Sequence, residues 1–436
     1  MKVKYIFKLS LKYLLGYKRR FLFLFAVLSF GFCIVTVIIS QKDGMSEAVY
    51  NSAQGHYAGD IVFSGYDAES EFTRHINNST VKIINNEINN SKINIDRIVY
   101  RTLYHIYNIY FNGDSLELKN LVGVDWENEA EYFNKLSYVT EKINTKELDE
   151  NSIVISSPVA ERFGINVGDS VILEFENGLN QKDTSVFIVG AIIKDTSIFG
   201  YYKSFIDRKK LNSMMNFDID ECSMIGLFLK EKQKTEKVRK LLQENLLDKI
   251  TLIKLVYSRE EWEEIRYKNK YETAILTIQV YISEITEILQ AVSLLSLFLY
   301  VMMLLIILVS AGVTYRLILH ERIKEIATMR ALGGEESTVR AVLLLEAIML
   351  TGAALIFGFA LSLFINWCMS FVSFDWMPSF EIFLTNGRLS PIHKLPSLLI
   401  NIAAVYIVII LAVYFPVFRT TGGSLPKMLS GGGVKE

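Results

Sequence analysis

Four stretches of this 436-residue chain contain no Asp, Glu, Lys or Arg: residues 21–40, 288–315, 347–374 and 395–418. Each runs for about twenty residues or more, long enough as a helix to cross roughly 30 Å of hydrocarbon. Core helices of water-soluble proteins rarely stay free of charge over such lengths. The first stretch is also too long for the apolar part of a secretory leader. It has no small-residue cleavage site after it, and "SQKDGMSEAVYNSA" can extend its helix. The expected class is an α-helical membrane protein with four transmembrane helices and a large α+β extracytoplasmic domain between the first and second spans.

Basic residues orient the spans. Lys2, Lys4, Lys8, Lys12, Lys18, Arg19 and Arg20 precede the first span with no acidic residue among them, which places the N-terminus in the cytoplasm. Four crossings return the C-terminus there. The expected order is a basic N-terminus (1–20), first span (21–40), extracytoplasmic α+β domain of two lobes (41–257), stalk helix (258–287), second span (288–315), cytoplasmic helix and loop (316–340), third span (341–369), extracytoplasmic loop (370–395), fourth span (396–418) and cytoplasmic tail (419–436). The net charge of −1 argues against a nucleic-acid partner. Cys222 is the only cysteine of the large domain, so no intrachain disulfide is expected there.

Within that domain "GDIVFSG" reads as a strand, and the Asn-rich "NNSTVKIINNEINNSKINI" as a polar helix or loop. "DRIVYRTLYHIYNIYFNG" and "LELKNLVGVD" are rich in β-branched and aromatic residues, the strand signature. "PVAERFGI" reads as a short helix, "NVGDSVILEFENG" as turn plus strand, "SVFIVGAII" as a buried strand and "KVRKLLQENLL" as an amphipathic helix. From Ser258 the absence of Gly and Pro predicts one helix running into the second span. Ile275, Ile278, Ile282, Ile285 and Leu289 recur three and four apart along it. Two readings of this seam stay open: packing on the domain itself, or a force-carrying stalk set against a neighbour. In the third span Ala347, Thr351, Ala354, Gly358 and Ser362 form a small-residue face for close helix packing, within one bundle or between subunits.

Enzymatic signatures are missing. "HERIK" lacks the second metal ligand of a zinc-protease helix, and the five histidines are scattered. There is no nucleophile elbow. "LSGGG" at 429–433 imitates the signature loop of an ATPase, but the chain has no Gly-Lys dipeptide and therefore no phosphate-cradling loop. No metal and no cofactor is expected in this chain.

Between the second and third spans, Leu319, Ile323, Ile326 and Ala327 share one helical face. Gly333 and Gly334 stop that helix, and "EEST" starts the next. The polar face alternates in sign, which suits a protein partner better than anionic lipid. Here the chain resembles a family. "HERIKEIATMRALGGEESTVRAVLLLEAIMLTGAALIFGFAL" is similar to the signature of FtsX-type permeases of the MacB/LolC/LolE-like ABC transporters. "LVGVDWENEAEYF", "SIVISSPVAERFGINVGDSVIL", "FIVGAIIKD" and "YFPVFRTTGGSLPKML" resemble further motifs of that family.

The resemblance implies mechanotransmission, closest to the lipoprotein-releasing permeases. A separate dimer of ABC ATPase subunits binds ATP and Mg, and draws together two permease chains, as a homo- or heterodimer. Their extracytoplasmic domains then move. A lipoprotein carrier or periplasmic adaptor is the implied outer partner, and the bacterial inner membrane the implied location. Glu321, Arg322, Glu325, Arg330, Gly333 and Glu346 match the run that couples to the ATPase. Gly123, Asp125, Gly168 and Asp169 match domain turns with a structural role. The alternatives are MacB-like export of peptides, antibiotics or toxins, and FtsX-like regulation of a cell-wall hydrolase.

Overall fold

The structure, a computed structural model, describes residues 3–16, 18–66, 73–140, 143–179, 181–194, 199–200, 202–231, 234–250, 253–268, 272–374, 376–385 and 387–423. The "LSGGG" tail lies outside them. Along the chain the elements are α1 (Val3–Gly16), α2 (Lys18–His56), β1 (Ile61–Tyr66), β2 (Thr73–Arg74), α3 (Asn78–Asn90), β3 (Ile95–Phe111), β4 (Asp114–Val124), α4 (Ala130–Lys135), β5 (Ser152–Ser156), α5 (Ser157–Phe163), β6 (Ser170–Glu176) and β7 (Lys182–Ile193). There follow β8 (Ser204–Asp207), α6 (Arg208–Met214), β9 (Met224–Leu229), α7 (Thr235–Leu246), β10 (Ile253–Leu255), α8 (Arg259–Lys268), β11 (Glu272–Thr277), α9 (Ile278–Tyr281), α10 (Ser283–Glu321), α11 (Ile323–Ala331), α12 (Glu336–Met369) and α13 (Leu395–Thr421). Contacts divide the chain into a helical unit (1–46, 289–373, 388–436) and a sheet unit (47–288, 374–387).

In the helical unit, α2, α10, α12 and α13 are long and apolar enough to cross a membrane. Their apolar residues recur at helical spacing, and the shared face is buried: Leu28 and Phe32 on α2, Ile307, Ala311 and Tyr315 on α10, Leu343, Leu350 and Ala354 on α12, Val405, Ile409 and Val413 on α13. Small residues set the close approach. A side chain at Gly358 would lie 2.5 Å from the Ser29 carbonyl of α2, and Ala354 and Ser362 are fully buried. The small-residue face therefore packs within this bundle. Buried amides join helices where hydrocarbon offers no other partner. Asn366 Nδ2 donates to Ser40 Oγ at 2.9 Å, and Gln41 Nε2 donates to Asn366 Oδ1 at 3.1 Å.

The sheet unit is α+β, as its alternating patterns predict. Its strands run β10-β11-β1-β9-β3-β4-β8-β5-β7-β6. β3 is long enough to serve two lobes. Its first half pairs with β9, and its second with β4 and β6. The β3–β6 pairing closes β3, β4, β8, β5, β7 and β6 into a ring around Tyr107, Leu121, Val171, Phe187 and Ile206. The other lobe buries Ile61, Phe63, Ile225 and Ile275 against α3 and α7. Between β3 and β4 the turn residues Asn112 (φ 49°) and Gly113 (φ 91°) are left-handed, the Asn-Gly hairpin chemistry. The Asn-rich segment is α3, started by Asn77, whose side chain accepts from Thr80 N at 2.9 Å. Such a cap stabilises a helix by about 1 kcal/mol.

Two expectations change. "SVFIVGAII" forms β7, but Val186 and Ile188 are exposed, so only its second half is buried on both faces. The single stalk helix over 258–287 does not form. That stretch is α8, then β11, then α9, before α10 begins. Thr273, Ile275 and Thr277 alternate with Ala274 and Leu276, and β11 pairs antiparallel with β1 through them. Ile275 is thus a sheet-core residue. Ile278, Ile282 and Ile285 are also buried within the sheet unit, while Leu289, in α10, belongs to the helical unit. The five do not lie on one helix and so make no single helical seam.

Candidate functional site

The motif residues of the helical unit gather around the turn from α10 through α11 to α12. Helix α10 ends at Glu321, and Arg322 breaks the helical path with φ −98° and ψ 8°. This turns the Arg322 side chain inward, where it is 1% exposed. Nη1 donates to Glu346 Oε2 at 2.6 Å, Nη2 to Glu346 Oε1 at 3.3 Å and Nε to Glu325 Oε2 at 3.2 Å. The guanidinium also lies 4.8 Å from the Tyr13 ring centre of α1. Glu346 is fully buried. A lone carboxylate in an apolar helix demands such a partner, because an unpaired buried charge costs several kcal/mol. Arg322 and Glu346 are therefore an internal tie between α10–α11 and α12, and neither is open to a partner protein.

Arg330 is engaged inside the unit too. Its Nη1 donates to the Thr421 carbonyl at 2.8 Å and the Gly423 carbonyl at 2.7 Å, at the end of α13, and its Nη2 to Glu336 at 2.8 Å. A cation is well placed on the last carbonyls of a helix. The end of α10 packs inward through Leu319, and the apolar face of α11 through Ile323, Ile326 and Ala327. Outward face His320, Glu321, Lys324, Thr328 and Leu332, and Leu332 is 84% exposed. Gly333 follows at φ 91°, the left-handed position that ends the helix. Of the six predicted coupling residues, only Glu321 and Gly333 are exposed. The outward stripe His320–Lys324–Thr328–Leu332 at four-residue spacing could have been read as the complement of the apolar face.

The sheet unit contains a second cluster, of which Glu129 alone falls within a quoted motif, "LVGVDWENEAEYF". Helix α2 ends at His56, and its last carbonyls need donors. Arg101 of β3 supplies them, from Nη1 to His56 O at 3.0 Å and from Nη2 to Gly55 O at 2.8 Å. Lys203 Nζ donates to His56 O at 3.3 Å. Glu129, at the start of α4, accepts from Arg101 Nε at 2.9 Å and again from Nη2. Arg101 and Glu129 are both 1% exposed. Burial works against the Arg101 charge, and the Glu129 carboxylate more than offsets it, holding the guanidinium above its ordinary pKa. Tyr50 and Asp60 hold the same helix end. Tyr50 Oη donates to Asp60 Oδ1 at 2.5 Å, while Asp60 Oδ2 accepts from Leu229 N at 2.8 Å. The motif residues Gly123, Asp125, Gly168 and Asp169 build turns. A side chain at Gly123 would meet Arg208 Cα of α6 at 3.0 Å, Gly168 sits at φ 94°, Asp125 accepts from Glu127 N at 3.2 Å, and Asp169 accepts from Asn166 N at 2.8 Å.

The segment from mid-α10 to the end of α13 carries the deciding likeness. Residues 297–425 match the FtsX-like permease C-terminal family. The FtsX-like segment contains Arg322, Arg330, Glu346 and the outward stripe of α11. No curated protein matches the chain. Among solved structures, the extracellular domain of the ABC-type transporter YknZ from Gram-positive bacteria is similar at 13% identity and TM-score 0.29, covering 43% of this chain and 93% of that one. The periplasmic region of MacB from Actinobacillus actinomycetemcomitans is similar at 13% identity and TM-score 0.33, covering 52% and 91%. A domain of a putative permease protein from Porphyromonas gingivalis is similar at 12% identity and TM-score 0.29, covering 50% and 89%.

Proposed function

We propose that this chain is the permease subunit of an ABC transporter of the lipoprotein-releasing type, driven by a separate ATPase subunit. The observation that carries the reading is the FtsX-like segment 297–425. In this reading the basic N-terminus and α11 lie in the cytoplasm and the sheet unit outside it. Two such chains work with two ATPase subunits, which bind the ATP and Mg. The ATPase docks on the outward stripe His320, Lys324, Thr328 and Leu332, with Leu332 as the apolar anchor. Motion imposed on α2 reaches the sheet unit where Arg101, Glu129 and Lys203 hold its last turn. The cargo assignment rests on the motif resemblance to lipoprotein-releasing permeases.

The test is co-purification of a tagged ABC ATPase encoded beside this chain. Leu332→Asp should cut its recovery severely, since a buried anchor is worth about 2 kcal/mol or more at an interface, and Lys324→Glu should weaken it further. Undiminished recovery with both changes would remove the docking assignment. ATP-dependent release of a labelled lipoprotein from proteoliposomes holding the complex tests the cargo separately.

A further inference from the structure

The sheet unit holds a cavity of about 890 Å3, within the range of ligand sites, roughly 300–1,000 Å3. An irregularity in β3 shapes it. Successive residues of a regular strand point to opposite faces, yet Asp96 and Arg97 both line this cavity. The ladder between β3 and β9 shifts register between Ile95 and Arg97. Such bulges re-aim side chains and are over-represented beside functional sites.

Arg97 is held for recognition. Its guanidinium lies 4.0 Å from the Phe228 ring centre, Nη1 donates to Glu131 Oε2 at 3.1 Å, and Nε is buried with no acceptor among the described residues. A guanidinium fixed on a ring and short of an acceptor is a preformed fork for a carboxylate. Glu131 occupies it only in part. That side chain is 54% exposed and also accepts from Lys135 at 2.5 Å, so it can turn to solvent at little cost. Lys135 and Lys194 make the lining richer in cations than in anions. The remaining wall mixes apolar Leu136, Ile193 and Leu229 with polar Gln54 and Asn134. A plain hydrocarbon would leave those amides unmatched, whereas a chain carrying its own amides matches both kinds of wall.

We propose that this cavity binds the C-terminal end of an apolar peptide, with its free carboxylate on Arg97 in place of Glu131 and its side chains against Leu136, Ile193 and Leu229. The inference does not rest on the permease reading. The full chain in nonionic detergent is titrated into an N-terminally fluorescein-labelled apolar tetrapeptide, as the free acid and as the C-terminal amide, and anisotropy is followed against empty micelles. The free acid should bind saturably and the amide about tenfold more weakly, the loss expected for one charge-assisted hydrogen bond. Arg97→Gln should abolish that preference. Glu131→Gln removes the internal competitor, so it should tighten the free acid several-fold and leave the amide unchanged, a gain that misfolding cannot imitate. Equal binding of acid and amide, no saturable binding of either, or weaker binding by Glu131→Gln would overturn the proposal.

Discussion

Arg101→Met keeps the side-chain stem and removes the guanidinium from the end of α2. It leaves the Glu129 carboxylate buried without its partner, and takes the donors from Gly55 O and one of two from His56 O. Removing one partner of a buried ion pair costs about 3–5 kcal/mol. The Lys203 donor that stays on His56 O keeps the carbonyl loss small beside this. The sum is roughly two to three and a half decades in a local opening equilibrium. The assay is native-state hydrogen exchange at the amides of Tyr57 and Gly59, which close the last turn of α2 on Ala53 O at 2.8 Å and Gln54 O at 2.9 Å. Exchange there should accelerate by about that factor in Arg101→Met. Arg101→Met combined with Glu129→Leu removes both charges and should exchange more slowly than Arg101→Met alone, because the stranded carboxylate is gone. Acceleration of less than about tenfold in the single variant, or a double variant whose loss equals the sum of the singles, would refute the argument from the buried pair.

Arg322→Leu and Glu346→Leu should each lower the apparent Tm of the full chain in detergent, and the double variant should recover most of the loss, because both ends of one buried pair are then apolar. Ile275→Asp should unfold the sheet unit, seen as loss of near-ultraviolet circular dichroism, since it forces a charge into a fully buried core position. Hydrogen bonding from Lys249 holds the Glu87 carboxyl below its ordinary pKa. That pairing stabilises the fold above the ordinary carboxylate range and is lost as pH falls through the lowered value. The Tm of the wild type should therefore exceed that of Glu87→Gln near neutrality, and the two should converge in acid. Burial pushes the Cys222 thiol up to about 12, so maleimide at pH 8 should leave Cys222 unlabelled until the sheet unit is denatured.

The parts of this architecture legible in the sequence are those with a local cause. A charge-free run longer than twenty residues has few fates, and the four helices follow it. The Asn-Gly turn and the glycine at 164 that ends α5 are equally local. β11 was illegible for a definite reason. In residues 272–289 an isoleucine spacing of three and four overlies an alternation of two, and no Gly or Pro marks the change from strand to helix. Only pairing with β1, some two hundred residues earlier in the chain, selects the strand.

The charged residues divide along the same line. Glu346 in an apolar helix implies that a cation meets it, but Arg340 and Arg330 are nearer along the chain than Arg322, and only the packing of α12 on the α10–α11 junction selects Arg322. Arg101 left a fainter mark, a charge sharing a strand face with buried Val99. Nothing local says what it neutralises, because Glu129, Lys203 and the end of α2 come together only when β3, α4 and the segment before β8 pack around His56. A family motif selects residues by recurrence along the chain, and here two of the six it selected, Arg322 and Glu346, face inward. Exposure separates what a motif cannot. The buried pair ties the α10–α11 junction to α12, and the outward stripe ending at Leu332 is what stays exposed.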